Sequence, residues 1–209
     1  QTQWIADINV NAAAASYTMG QYGVLGVSAA AVEWGDLQGT RRADNAAGFI
    51  ETGTFSPDNY SIGLGYGLKV SEQFAVGMHL KYLYESLGAG AVGSLEDPST
   101  FTADMSLVAF DLGTIYYTGF KDLRLGMTLR NFSPEKEYRF ESFSLPLTFK
   151  VGLAMDVLPL FAEMETHRCT VSMDALNPRD YTERFQVGGE YAFQEMVFLR
   201  GGYKSNYDE

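Results

Sequence analysis

The strongest constraint on this chain is a period of two that runs from Tyr60 to Tyr84. Even positions hold Tyr60, Ile62, Leu64, Tyr66, Leu68 and Val70, then Phe74, Val76, Met78, Leu80, Tyr82 and Tyr84. Odd positions hold Ser61, Gly63, Gly65, Gly67 and Lys69, then Ala75, Gly77, His79 and Lys81. Successive strand side chains point to opposite faces, so this pattern sets an unbroken apolar face against a glycine-rich polar one. Ser71, Glu72 and Gln73 leave room only for a tight turn. The unit is therefore a hairpin of two strands of about 11 residues, roughly twice the mean strand of a soluble protein.

The same alternation recurs along the chain. Strands are expected over Trp4 to Tyr17 and Tyr22 to Trp34, although Ala12 to Ala15 also suits a helix. Val108 to Thr118 pairs with Leu123 to Arg130 across a turn. Leu147 to Val157 precedes a strand from Arg168 to Ala175, and Arg184 to Phe193 and Met196 to Tyr203 flank Gln194-Glu195. Ten strands result. Gly35 to Asp58, Glu85 to Asp104 and Asn131 to Pro146 read as long loops, so short and long connections alternate.

Mean hydropathy is −0.11 with 46% hydrophobic residues, and no apolar run reaches the roughly 18 residues of a helical membrane span. Neither value argues against a transmembrane barrel, whose strands alternate lipid-facing and lumen-facing residues and average out near zero. A soluble β-sandwich alternates too. Three features favour the membrane. Eleven residues at about 3.3 Å, tilted by about 40°, rise roughly 27 Å, close to the apolar band of an outer-membrane barrel. Turns are short at one end and loops long at the other. Tyr60, Phe74, Tyr82, Tyr84, Tyr116, Phe193 and Tyr203 sit near the ends of apolar stripes, where an interfacial girdle belongs. The expected fold is an all-β, antiparallel transmembrane β-barrel, a single domain over residues 1–209 that is incomplete at both ends.

The polar face would line a lumen. Its candidate lining residues are Lys81, Arg124, Arg130, Lys150, Arg168, Arg184, Glu190 and Arg200, accompanied by Asp111, Asp156 and Asp174. A salt-bridge lattice bracing the wall is the plainer role for them, and a substrate-lining surface the sharper one.

Several motifs carry no chemistry. Gly88-Ala-Gly-Ala-Val-Gly93 fits a dinucleotide fingerprint, but Ser94, Glu96, Asp97 and Pro98 follow where a helix must start. His79, His167 and Cys169 lack the convergent spacing of a metal site, and Glu96, Asp97, Asp104 and Asp111 lack that of a calcium loop. With two histidines, no Ser, His and Asp combination stands out. A net charge of −11 argues against nucleic acid, and the lone Cys169 excludes an internal disulfide. No catalytic residue, cofactor or metal is expected, so the chain reads as a non-enzyme.

The run Gly48-Phe-Ile-Glu-Thr-Gly-Thr-Phe-Ser-Pro-Asp-Asn-Tyr60-Ser-Ile-Gly-Leu-Gly-Tyr66, followed by Phe74-Ala-Val-Gly-Met-His-Leu-Lys81, resembles the PorV/PorQ family of outer-membrane barrels, which are similar to FadL-like transporters. Phe110-Asp-Leu-Gly113, Leu125-Gly-Met-Thr-Leu-Arg-Asn131, Phe149-Lys-Val-Gly152 and Gly188-Gly-Glu-Tyr191 before Leu199-Arg-Gly-Gly-Tyr203 continue it in the family's order. The resemblance implies a fourteen-stranded barrel of the Gram-negative outer membrane, of which this stretch supplies about ten strands. It further implies a role in the type IX secretion pathway, with translocon subunits or the C-terminal signal domains of secreted proteins as partners. FadL-type transport of hydrophobic molecules, or an accessory structural role in an envelope assembly, are the alternatives.

Overall fold

The computed structural model describes residues 2–3, 8–93, 98–138, 141–161 and 166–206. Its main body is one antiparallel sheet. In chain order the strands are β1 (Thr2–Gln3), β2 (Asn9–Thr18), β3 (Val24–Glu33), β4 (Leu37–Arg42), β5 (Phe49–Phe55), β6 (Asp58–Lys69), β7 (Phe74–Gly93) and β8 (Pro98–Tyr117). β9 (Arg124–Phe132), β10 (Lys136–Tyr138), β11 (Glu141–Phe143), β12 (Thr148–Asp156), β13 (His167–Pro178), β14 (Arg184–Phe193) and β15 (Val197–Lys204) follow. The described residues form no α-helix, only short 3-10 turns at Gly20–Tyr22 and Leu158–Leu160.

Eleven strands share the large sheet, in the order β1-β2-β3-β6-β7-β8-β9-β12-β13-β14-β15. Ten are long, matching the alternating segments of the sequence, and β1 is a two-residue addition to the β2 edge. Each long strand pairs with the next in a meander, which is the arrangement that tight turns between antiparallel strands allow. Trp4 to Asp7, where the first strand was expected to begin, lie outside the described residues. The Ala12–Ala15 run is strand, paired residue for residue with Ala30 to Val27, so tertiary pairing overrides its helix propensity.

All three long loops are more ordered than their turn-rich composition implies. Within Gly35 to Asp58, β4 and β5 form a hairpin of their own. β7 and β8 extend through most of Glu85 to Asp104, with a register shift between Ser86 and Ala89 where Gly88 adopts φ +78°. β10 and β11 pair within Asn131 to Pro146. Local glycine and charge content signalled turns, yet paired backbone satisfies more hydrogen bonds than a bare loop. These three excursions leave the same end of the sheet, while the tight turns at Val70 to Gln73, Thr118 to Leu123 and Gln194 to Met196 close the other.

The register divides the sheet into two faces. Val27, Leu64, Leu80 and Phe110 follow one another across β3, β6, β7 and β8 on the apolar face. Leu125, Leu153, Met173 and Val187 continue it across β9, β12, β13 and β14. Among the described residues nothing covers these side chains: Val27 is 53% exposed, Phe110 47% and Met173 49%. Only Met105, Leu107, Ala109 and Ala192 are buried apolar residues among those described. A compact soluble monomer of 23.1 kDa would expose about 9,600 Å². This chain exposes 14756 Å², as a single-layer sheet must when one face lacks a partner.

Aromatic side chains flank the aliphatic band. Tyr60, Tyr82 and Tyr84 cluster at the hairpin end, with Tyr60 and Tyr84 stacked at 4.9 Å between centroids. His167, Tyr191 and Phe193 gather at the turn end, the imidazole 5.0 Å from the Phe193 ring and its Nδ1 2.5 Å from the Tyr191 hydroxyl.

Candidate functional site

The opposite face carries the charged residues. Pairing places all eight expected lining residues there: Lys81 on β7, Arg124 and Arg130 on β9, Lys150 on β12, Arg168 on β13, Arg184 and Glu190 on β14, and Arg200 on β15. They do not form one lattice. Glu190 receives Arg200 Nε at 2.6 Å and Arg168 at 3.1 Å, and Arg168 also reaches Glu195 at 2.9 Å. Lys150 pairs separately with Asp174 at 2.9 Å. Arg124 stands 3.7 Å from Asp122, and Arg184 lies 4.6 Å from the Tyr181 ring centroid. Glu195 belongs to the turn between β14 and β15, where the hydrogen bond from Arg168 holds its carboxyl below the usual range.

Asp156, expected among the charged lining, instead serves the backbone. Its carboxylate accepts from the Cys169 and Leu158 amides at 3.1 and 3.3 Å, fixing the turn into β13. Cys169 and His167 face the apolar side, opposite the charged residues.

The densest polar group joins His79, Lys81 and Asp111, which the alternation places on this face, to Ser28, which the sequence does not single out. Ser28 on β3, His79 on β7 and Asp111 on β8 meet on the polar face. Ser28 Oγ lies 3.2 Å from His79 Nε2, and His79 Nδ1 lies 3.6 Å from Asp111 Oδ2. The other carboxylate oxygen of Asp111 takes Lys81 Nζ at 2.8 Å and the Asn131 amide at 2.8 Å. Lys81 also donates to Asn131 Oδ1 at 2.6 Å. Asp111 thus sits on the polar face of β8, as the alternation from Val108 to Thr118 implies, with its two oxygens divided between partners.

Two backbone features create this group. Strands two positions apart lie about 9.6 Å from each other, so an intervening side chain would normally keep β3 and β7 apart. Gly63 on β6 removes it: a Cβ there would collide with the His79 ring and stand 2.6 Å from Ser28 Oγ. On β9, Asn131 takes φ +61° and opens a bulge opposite Asp111, which turns its amide toward the carboxylate. Asparagine tolerates this left-handed conformation better than most residues. The signals were a glycine at Gly63 and an asparagine at strand's end, both too common to single out alone.

Two recesses adjoin the group. Toward the hairpin end, a 200 Å³ hollow is lined by Ala30, Val32, Leu83, Met105, Leu107 and Leu145, with Asn59, Ser61 and Glu85 among its polar members. Asn59 Oδ1 is buried there without a hydrogen-bond partner. Toward the turn end, a shallower hollow of 520 Å³ includes His79, Asp111, Thr128 and Arg130.

No family model matches the chain, and no curated protein matches it either.

Proposed function

We propose that this chain is the wall of an outer-membrane β-barrel of the PorV/PorQ type, acting in type IX secretion as a docking component for secreted proteins or the translocon. The supporting observation is the uncovered aliphatic band, traced across the eight strands from β3 to β14 and flanked by aromatic clusters at both ends. An exposed apolar patch beyond a few hundred Å² requires cover, and aromatic girdles are what an interface with lipid headgroups selects. Joining the two edges of the sheet, at β1–β2 and at β15, would close the wall and turn the charged face into a lumen. Docking draws its support from the hairpin end, where β4–β5 touches β7 and β10 touches β8.

The test is affinity purification of the protein from its native outer membrane in mild detergent, with hairpins β4–β5 and β10–β11 each shortened to a turn in parallel strains. Co-purification of secretion subunits or proteins sharing a C-terminal domain, lost in the shortened variants while the barrel still inserts, is the expected result. Unchanged secretion after both deletions would overturn the docking role.

A second reading has one specific observation in its favour. The apolar hollow around Leu83, Met105 and Leu107 lies on the otherwise polar face, as a FadL-like transporter of hydrophobic molecules requires. Fatty acid or lipid retained by a barrel that purifies alone would shift the assignment to transport.

A further inference from the structure

We propose that Ser28, His79 and Asp111 form an acyl-transfer site, with Ser28 as nucleophile, for esters of aliphatic acyl chains. The inference rests on the polar-face geometry alone and on neither the docking nor the transport role.

The arrangement supplies what a weak hydroxyl nucleophile needs: a base within hydrogen-bond reach and a third group to orient that base. His79 Nε2 is 3.2 Å from the Ser28 hydroxyl. With the imidazole proton on Nδ1, facing Asp111 Oδ2 at 3.6 Å, Nε2 is free to accept from Ser28. Lys81 and the Asn131 amide occupy Asp111 Oδ1, so they anchor the carboxylate and leave the second oxygen for the ring. A lattice built only to brace the wall would be complete with Lys81, Asp111 and Asn131. It would have no use for a glycine at position 63, which admits the imidazole across an intervening strand to one serine.

The neighbouring hollow sets the substrate class. Ala30 and Leu83 follow Ser28 and Lys81 by one alternation, about 7 Å along their strands, and open the apolar recess that continues to Met105 and Leu107. Ser28 does not itself line the recess, so an aliphatic chain seated there reaches it by extending one alternation past Ala30, about 7 Å, which places the ester carbonyl at Ser28. Ser28 Oγ bonds to the carbonyl carbon as its proton passes to His79 Nε2. Collapse of the tetrahedral adduct breaks the ester C–O bond, and the imidazolium gives the proton to the departing alcohol. Water then attacks the acyl-serine, its proton passing through His79 back to Ser28 Oγ, and a carboxylic acid leaves. No electron acceptor or donor is involved.

Ser28 and His79 are the catalytic residues in this scheme, and Asp111 is a positioning residue. The test treats the whole folded chain, in detergent and in vesicles, with a fluorophosphonate probe and with p-nitrophenyl octanoate, and maps adducts by peptide mass spectrometry. One adduct per chain on Ser28, absent after unfolding in urea and at least tenfold slower in His79→Gln, is expected. Asp111→Asn should lower the maximal labelling rate while leaving the half-saturating probe concentration unchanged. Failure of the folded wild-type protein to label at Ser28, or equal labelling in His79→Gln or in urea, overturns the proposal without touching the barrel or docking readings.

Discussion

Replacing Leu64 with arginine probes the face assignment directly. Leu64 stands mid-strand on β6, 48% exposed, between Val27 on β3 and Leu80 on β7. If that face meets hydrocarbon, an arginine near the bilayer midplane costs about 2–4 kcal/mol, which is roughly a 30- to 700-fold loss in the folding equilibrium. The adjacent residue supplies the control. A Cβ at Gly65 would meet His79 Cδ2 at 3.6 Å, an ordinary contact, so Gly65→Ser should shift stability by no more than about 0.5 kcal/mol. The assay is urea unfolding of the protein inserted into phospholipid vesicles, read from the mobility difference between folded and unfolded forms on gels. Tolerance of Leu64→Arg together with sensitivity at Gly65 would mean that the charged face is the buried one, and the membrane reading would fall.

Three further outcomes follow from the same geometry. Gly63→Ala, two residues from the tolerant Gly65, should cost about 1–3 kcal/mol as an overpacked contact, because the new methyl displaces His79 from Ser28; equal effects of alanine at the two positions would refute the cradle. Gly152→Ser should behave unlike Gly65→Ser, since a Cβ at Gly152 collides with Asp174 Oδ1 and disturbs its pair with Lys150; double-mutant analysis with Lys150→Met should show strong coupling. Glu195 has its folded-state carboxyl held below the usual range by Arg168, so its stabilising contribution is present above the unfolded carboxylate value and fades as pH falls through the folded one. The stability gap between wild type and Glu195→Gln should therefore be open at pH 7 and close under acid titration, and a gap that widens in acid would refute the assignment.

The alternation from Tyr60 to Tyr84 determined strand, face and hairpin together, because period two is local and each residue's direction depends only on its place in the strand. For the same reason all eight charged candidates from Lys81 to Arg200 were legible as occupants of one face. Which of them pair was not. Arg168 finds Glu190 and Glu195, and Lys150 finds Asp174, through registers fixed between strands. The segments Gly35 to Asp58 and Asn131 to Pro146 read as long loops in the sequence because composition does not count the backbone groups that pairing of β4 with β5 and of β10 with β11 satisfies. Most of all, Ser28, His79 and Asp111 are scattered through the sequence and carry no motif. They meet because His79, paired with Asp111, leans across the diagonal to Ser28, Gly63 vacates the strand between, and the Asn131 bulge turns an amide toward the carboxylate. Periodicity records which face a side chain points to. Only the packing of neighbouring strands decides what it meets there.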